Sequence, residues 1–437
     1  MMRHSLSRAG HAAARLFRVQ DFPYLAAALI TGLAAVGYAE LFAEAEKVAR
    51  KLAVSGTSWV FLVLPGAFVL SWWVVHRFAP EARGSGIPQV MAAIEALEHS
   101  ERPRSVEKLV GVRTAVVKIV SSLIAVLGGG SVGREGPTVQ IAASVFHASE
   151  RFSAKFSRQQ GQEFWLVTGG AAGIAAAFNT PLGGMVYAIE ELATSHFNRF
   201  KTSLIAAVII SGMAAQWILG SYLYLGFPKI RDVSIAVLPW ALLVGAAGGV
   251  SGAVFGKVLL GIIRFKKSFK GPYRQAGFAL VLGLLAATMV FLEPRAVGSG
   301  RDMVSELLFN TSADGDWKLA ATRFLAPILS YSAGGAGGIF SPSLAAGGAL
   351  GAFLANVVDT PNVVLCILCG MIAFLTGVTR APFTAFVLVL EMTDRHSAIF
   401  PMMLSALLAS WASRLVDTRS FYDHVKADYA EPAGRAL

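Results

Sequence analysis

The sequence predicts an all-α polytopic membrane protein made of broken and tilted helices in two related halves. Hydrophobic residues make up 55% of the 437 residues and charged residues only 15%, whereas a soluble domain carries about 25% charged residues. Apolar stretches suited to membrane spans recur along the chain, for example at 24–39, 58–75, 204–219, 238–263, 277–291 and 399–415. Many apolar stretches are short for a span or are interrupted by Gly or Pro, which favours helices that break within the membrane.

Basic residues at the start of the chain and in one internal loop indicate which side is cytoplasmic. Segment 1–20 carries four arginines and has neither the apolar core nor the cleavage site of a signal peptide. The segment from Arg264 to Arg274 carries five cations and no acid. The positive-inside rule places both on the cytoplasmic side, so we expect a multi-pass protein of the cell inner membrane with cytoplasmic termini. Nucleic-acid binding is the alternative explanation of basic patches, but basic loops beside membrane spans are expected anyway, and no nucleic-acid partner is predicted.

One octapeptide, from Gly133 to Gln140, is typical of an irregular loop that turns into a helix N-terminus. Glycines let the backbone approach a bound species, and Pro137 can sit in a first helical turn without losing a hydrogen bond. Such a helix end offers free N–H groups and about half a positive charge, so it can hold an anion. Glu135 stands where the anion would bind, which suggests a gate. The alternative is a turn in an aqueous loop with a solvated glutamate.

Three interruptions recur in the same order in the second half of the chain. Gly-Ser-Gly occurs at 84–86 and again at 298–300. A glycine followed four residues later by a proline occurs at 133–137 and at 338–342, and a proline nine residues before a glutamate occurs at 181–190 and at 382–391. The match predicts a duplicated unit, with repeats at roughly 21–222 and 234–418 and a short tail at 426–437.

Interrupted helices at matching positions of two halves point to a transport site near the membrane midplane. Backbone that is not helical at that depth must line a cavity or be buried, because unpaired N–H groups in lipid cost several kcal/mol each. Helix ends that meet with their amides inward would bind an anion without a buried lysine or arginine. Such a site could also release the anion, which a full positive charge would hold too tightly.

Three pentapeptides together resemble the signature of the CLC family of chloride channels and proton-coupled chloride transporters. They are Gly-Ser-Gly-Ile-Pro at 84–88, Gly-Arg-Glu-Gly-Pro at 133–137 and Gly-Ile-Phe-Ser-Pro at 338–342. The resemblance extends from about Asp21 to about Val425, nearly the whole chain. It implies a CLC-type inverted repeat in region 21–425, and a homodimer with one pathway per subunit. Only fifteen residues follow Tyr422, too few for the cytoplasmic regulatory domains of many eukaryotic members.

The resemblance also implies roles for residues of the three motifs. Ser85 and Tyr422 match the hydroxyls of the central anion site, and a serine at this position favours chloride over nitrate. Without the family, Ser85 would be interpreted as a helix N-cap and Tyr422 as an aromatic residue of the membrane interface. Glu135 matches the gating glutamate, which occupies an anion position when charged and carries a proton when neutral. Backbone amides expected to face the anion belong to Arg134, Gly136, Ile339, Phe340 and Ser341.

Two adjacent glutamates need separate interpretations. The repeat pairs Glu190 with Glu391, so Glu190 belongs to the duplicated scaffold, whereas the position equivalent to Glu191 is Met392. Glu191 matches the family's internal proton-transfer glutamate, and a carboxylate inside a membrane costs about 3 kcal/mol, which favours a functional role. The alternative is a helix-end glutamate that faces the cytoplasm. Tyr187, one helical turn earlier, could donate a hydrogen bond to Glu191.

One departure from the family concerns the inner proton route. Some exchangers carry acids soon after the serine motif, where this chain has Gln89 and Met91, although Glu95 remains.

The leading functional hypothesis is a chloride/proton antiporter, with chloride and protons as its substrates and no cofactor. A passive chloride channel of the same fold is the alternative, and only Glu191 favours exchange over it. A membrane-embedded enzyme would need a nucleophile with a base, or metal ligands, at depth. None of the eight histidines is paired at ligand spacing, and Cys366 and Cys369 lie in an apolar run typical of packing, so neither an enzyme nor a metal site is predicted.

Overall fold

The computed structural model describes residues 22–55, 58–98, 103–153, 161–192, 201–220, 223–230, 235–310 and 315–429. The N-terminal segment 1–20 and most of the predicted tail 426–437 lie outside the described residues. Within the described ranges the chain is helical and contains no β-strand, only two isolated backbone bridges, Gly84 with Ala336 and Gly133 with Gly338. The prediction of an all-α protein is therefore confirmed.

Helices of the first half are α1 Phe22–Val54, α2 Val60–Phe78, α3 Ile87–Glu98, α4 Pro103–Val110, α5 Val112–Leu127, α6 Glu135–Ser153, α7 Gln162–Phe178, α8 Pro181–Tyr187 and α9 Lys201–Leu219. A π-helical turn, Ala188–Leu192, continues α8. Helices of the second half are α10 Leu238–Lys267, α11 Pro272–Leu292, α12 Arg301–Phe309, α13 Trp317–Ser332, α14 Phe340–Val357, α15 Val363–Thr379, α16 Pro382–Thr393 and α17 Ile399–Arg414. The last helix is α18, Phe421–Lys426.

The second half repeats the order of helices of the first. Two long helices, α1 and α2 or α10 and α11, come first, and a short helix follows each Gly-Ser-Gly, α3 or α12. Helices α6 and α14 begin within the glycine-proline motifs, and α8 and α16 begin at the matching prolines. By length and composition, seven helical segments of the described chain could cross a membrane.

Two matching helices, α8 and α16, lie antiparallel and cap each other. The Glu190 carboxylate, just after α8, accepts hydrogen bonds from the backbone N–H of Phe383 (3.2 Å) and Thr384 (2.6 Å) at the start of α16. The Glu391 carboxylate near the end of α16 accepts from Leu182 (3.1 Å) and Gly183 (2.8 Å) at the start of α8. Each carboxylate meets the positive end of the other helix. This reciprocal arrangement shows that the two halves are inverted with respect to each other.

The centre of the molecule is formed by α7 and α15, which are apolar all round and buried on every side along most of their length. Glycines let neighbouring helices approach closely, as is common where helices pack inside membranes. A Cβ added at Gly252 of α10 would lie 2.2 Å from the Phe374 carbonyl of α15. One added at Gly347 of α14 would lie 2.2 Å from the Gly370 carbonyl.

Candidate anion site

The three signature loops meet through backbone hydrogen bonds between the halves. Gly133 and Gly338 exchange two N–H···O bonds of 2.7 and 2.8 Å. Gly84 donates to the Gly335 carbonyl (2.8 Å) and accepts from the Gly337 N–H (3.0 Å). We call Gly84–Gly86, Gly133–Gly136 and 335–341 the junction. The structure thus brings together the motifs that the sequence places up to 257 residues apart, from 84 to 341.

Several side-chain oxygens at the junction are buried without a partner. Ser85, Glu135 and Tyr422 are each 0% exposed, and neither the two hydroxyls nor the carboxylate oxygens make a hydrogen bond within the described residues. The hydroxyls of Ser85 and Tyr422 are neighbours without hydrogen-bond geometry, and the Ser341 hydroxyl is likewise buried and unpaired. Because buried polar groups are nearly always hydrogen-bonded, such a cluster calls for a ligand. Two hydroxyl donors side by side suit an anion.

Three helices begin at the junction, and their N-termini surround this cluster. Helix α3 starts after Ser85-Gly86, α6 starts at Glu135, and α14 starts at Phe340. A Cβ added at Gly136 would lie 2.2 Å from the Ser85 hydroxyl, so the start of α6 directly contacts the serine loop. Converging helix N-termini bring free N–H groups and partial positive charge to one point. The electrostatics of the junction therefore favour a small anion.

Glu135 lies at the first position of α6 and is not solvated, which excludes the aqueous-turn alternative. Its carboxylate folds back over Gly133, since a Cβ added there would lie 2.6 Å from the Glu135 Oε2. Burial of a carboxylate without a hydrogen bond is costly, and the helix N-terminus is the feature that offsets part of this cost. An anion arriving at the junction would therefore meet a carboxylate already there.

The remaining predicted residues flank this point. The Arg134 guanidinium donates to the Ala39 carbonyl (2.9 Å), so its side chain is bound to α1. Ile339 and Phe340 are buried, and the Phe340 ring contacts that of Phe178 with centroids 5.6 Å apart. Their side chains thus serve packing, which leaves the backbone of this loop to contribute to the site.

Glu190 and Glu191 differ in their contacts as the repeat predicts. Glu190 is used as a helix cap, whereas Glu191 has no hydrogen-bond partner among the described residues. The predicted hydrogen bond from Tyr187 to Glu191 is wrong. The Tyr187 hydroxyl is buried and unpartnered, although the ring lies near enough to both Glu191 and Tyr422 to interact electrostatically. Glu191 lies in a π-helical turn, Ala188–Leu192, so the regular α-helical spacing on which that prediction was based does not apply here.

Gln89, which stands where some exchangers carry an acid, stabilises the serine loop. Its Oε1 accepts from the Gly86 N–H (3.1 Å), and its Nε2 donates to the carbonyls of Glu81 (2.9 Å) and Arg83 (2.6 Å). The N-cap interpretation of Ser85 is also wrong, because the Ser85 hydroxyl is unpaired. Glu95 is ion-paired with Lys426 at 2.9 Å.

Sequence reasoning missed two residues that hold the serine loop. The Lys118 ammonium, 0% exposed, donates to the Gly84 carbonyl (2.8 Å). The Tyr331 hydroxyl accepts from the Ser85 N–H (3.3 Å). A lysine inside the apolar run of α5 was a usable signal, because intramembrane charges are rare and functional. Tyr331 gave no comparable signal.

Comparisons with known proteins agree with this geometry. The family model described as Voltage gated chloride channel matches residues 67–414. The chain is 31% identical over 429 residues to a protein named H(+)/Cl(-) exchange transporter ClcA from Salmonella paratyphi B, covering 91% of this chain and 86% of that protein.

Two solved structures show the same fold. One, titled as a slow cyanobacterial Cl-/H+ antiporter, has a TM-score of 0.84 and 24% identity, covering 96% of this chain and 100% of that chain. The other, titled as a eukaryotic CLC transporter, has a TM-score of 0.77 and 22% identity, covering 93% of this chain and 74% of that chain. With a family model that spans most of its length, this chain is a multi-pass membrane protein that belongs to the voltage gated chloride channel (CLC) family.

Proposed function

We propose that this protein is a chloride/proton antiporter of the cell inner membrane, a transporter and not an enzyme. The observation that carries the proposal is the cluster of buried, unpaired oxygens of Ser85, Glu135 and Tyr422 where three helix N-termini meet. The relative from Salmonella, which covers 91% of the chain, is named for the same exchange. Chloride is the substrate, and no cofactor enters the proposal.

Chloride passes through the junction. The hydroxyls of Ser85 and Tyr422 donate to the ion at the central position, together with the backbone amides of Ile339 and Phe340. The amides of Arg134, Gly136 and Ser341 serve an outer position, which the Glu135 carboxylate occupies when no chloride is there. Binding by dipoles and hydroxyls rather than by a full charge keeps the ion exchangeable.

Protons pass between Glu135 and Glu191. A protonated Glu135 no longer competes with chloride, so its side chain can leave the junction and carry its proton to the other face. Glu191 has no hydrogen-bond partner among the described residues and lies near Tyr187, Tyr422 and Asp423. Two carboxylates on either side of the anion site allow one conformational cycle to couple both ions.

The assembly and orientation follow from the family resemblance and the charge pattern. We propose a homodimer in a lipid bilayer, with one pathway per subunit and with the termini on the cytoplasmic side. Exposed apolar side chains on α16 and α17, such as Phe383, Phe400 and Trp411, provide surface for both a second copy and lipid.

Flux measurements on purified protein in liposomes test the proposal. An outward chloride gradient should drive protons into the vesicles against their own gradient, and the reversal potential should lie between the equilibrium potentials of chloride and protons. Chloride flux without proton movement, with reversal at the chloride equilibrium potential, would contradict exchange and identify a passive chloride channel.

A further inference from the structure

A second Gly-Ser-Gly loop, Gly298-Ser299-Gly300, lies beside a cavity of about 230 Å³ that is separate from the junction. Helix α11 runs between the basic segment Arg264–Arg274 and this loop, so the cavity lies on the face opposite the basic one. Its charged lining consists of three arginines and two acids, namely Arg50, Arg295, Arg323, Asp302 and Glu306.

The two Gly-Ser-Gly loops are held by matching buried cations. Lys118 donates to the carbonyl of Gly84, the first glycine of its loop, at 2.8 Å. Arg323 donates to the carbonyl of Gly298, the first glycine of the other loop, at 3.1 Å. Lys118 and Arg323 are 205 residues apart, and so are the equivalent glycines Gly133 and Gly338. The two cations therefore occupy equivalent positions in the two repeats. Both are almost fully buried, at 0% and 2% exposed.

Each loop also contacts the other half of the molecule at the same atom. The Gly84 carbonyl accepts from the Gly337 N–H at 3.0 Å, just before the Gly338 motif. The Gly298 carbonyl accepts from the Ser131 hydroxyl at 3.1 Å, just before the Gly133 motif that carries Glu135. The loop beside the cavity is therefore built like the serine loop of the junction and is bonded to the segment that leads to the gate.

The two loops differ in what meets their serines. In the second half, the Ser299 N–H donates to a carboxylate oxygen of Glu46, which reaches across from α1. The negatively charged Glu46 oxygen takes the place that a bound anion would occupy at the loop. Gly298 packs directly against this oxygen, since an added Cβ would lie 2.2 Å from the Glu46 Oε1. Helix α12 begins immediately after the loop and directs its N-terminus there.

Of the three arginines that line the cavity, Arg323 has a guanidinium N–H that is free to donate to a ligand. Arg50 forms an ion pair with Asp302, and Arg295 pairs with Glu293 at 2.9 Å. Among the described residues Arg323 has no carboxylate within ion-pair distance, and its buried Nε has no hydrogen-bond partner. Its guanidinium lies against Gly300, where an added Cβ would meet the Arg323 Nη1 at 3.0 Å. A guanidinium with a free donor beside a helix N-terminus is suited to bind an anion.

From these contacts we propose that the cavity beside Gly298-Ser299-Gly300 is a second anion-binding site, in which a small monovalent anion and the Glu46 carboxylate compete for Ser299 and Arg323. Exchange of Glu46 for the external anion changes the charge next to the Gly298 carbonyl. Because the Ser131 hydroxyl is bonded to that carbonyl, occupancy of this site acts on the segment that leads to Glu135. The site does not depend on the transport mechanism proposed above.

Bromide, located by its anomalous scattering in soaked crystals, tests the site directly. Wild-type protein, Glu46→Ala and the double variant Glu46→Ala/Arg323→Gln are soaked over one concentration series. We expect bromide beside Ser299 and Arg323 in Glu46→Ala, with half-occupancy at a concentration about tenfold lower than in the wild type. The double variant should lose this bromide.

Several results would overturn the proposal. They are absence of bromide from the cavity in Glu46→Ala throughout the series, equal occupancy in the wild type and Glu46→Ala, or equal occupancy with and without Arg323. If Glu46→Ala does not fold, Glu46→Gln replaces it, because its amide oxygen still accepts from the Ser299 N–H while the competing charge is removed. Bromide should then bind more tightly than in the wild type, and unchanged occupancy would equally contradict the proposal.

Discussion

Burial of unpaired side-chain oxygens at the junction destabilises the fold unless a ligand binds them. Ser85, Glu135 and Tyr422 are fully buried, and an unsatisfied buried polar group typically costs about 1–3 kcal/mol. Gln89, which holds the serine loop, is by contrast paired at both its amide oxygen and its amide nitrogen. A ligand that accepts from the two hydroxyls would remove part of this cost.

The Glu135 carboxylate should separate the two ion fluxes. In Glu135→Gln the side chain resembles the protonated gate, so we expect chloride flux to continue while proton movement disappears. Paired chloride and proton flux measurements in liposomes check this expectation. Normal proton pumping by Glu135→Gln would show that the gate lies elsewhere.

Glu191 and Glu190 provide a matched pair of substitutions. Glu191→Gln should abolish proton movement, retain chloride flux and leave stability unchanged, because Glu191 caps no helix. Glu190→Gln should retain coupling but lower stability by about 1–2 kcal/mol, because it weakens the cap on α16. Flux in liposomes and thermal unfolding in detergent give the two readouts. Loss of coupling in Glu190→Gln with coupling intact in Glu191→Gln would reverse the assignment.

At this scale the sequence predicted which residues meet but not all of their contacts. Repeat spacing separated Glu190 from Glu191 correctly. It could not reveal the π-helical turn that carries Glu191, because a change of helix type depends on tertiary packing. Nor could it reveal Lys118 as a support of Gly84, since that bond joins two elements 34 residues apart.

Among the helices, close crossings at glycine set the positions of α10, α14 and α15. Inside a membrane the hydrophobic effect does not hold helices together, so packing at small residues contributes more. The crossings at Gly252 and Gly347 bring backbone against backbone around α15. These contacts place the start of α14 at the junction.

Two glycines of the same helix test this contribution. Gly252→Ala should destabilise the protein by about 1–3 kcal/mol, because the added methyl would meet the Phe374 carbonyl of α15. Gly261→Ala is the control, since a Cβ there meets nothing within 4 Å. Thermal unfolding in detergent compares the two variants. Equal midpoints would mean that the crossing of α10 and α15 can relax at little cost.

Helix boundaries were predictable where the sequence interrupts a helix with Gly or Pro. The starts of α6, α8, α14 and α16 all fall within predicted motifs. The sequence did not show which helices are surrounded by protein, because α7 and α15 are as apolar as helices that face lipid. Hydropathy measures apolar character and does not distinguish a protein neighbour from a lipid.

At the scale of the whole molecule, the inverted arrangement of the two halves explains how the same short glycine-containing motif, present once in each half, can form a site at the centre. Sequence spacing indicated the duplication, and the reciprocal caps of Glu190 and Glu391 show the antiparallel arrangement. The backbone bonds that join Gly133 to Gly338 could not be predicted, because their pairing depends on how complete halves dock. The same holds for the contact between Glu46 and Ser299.

The account depends on an anion held at the junction by helix ends and hydroxyls, and an anomalous-scattering map of wild-type crystals soaked in bromide tests this most directly. We expect a bromide peak within hydrogen-bond distance of the hydroxyls of Ser85 and Tyr422, at the N-terminus of α14. Bromide bound only beside lysine or arginine side chains, with none at the junction, would contradict the account.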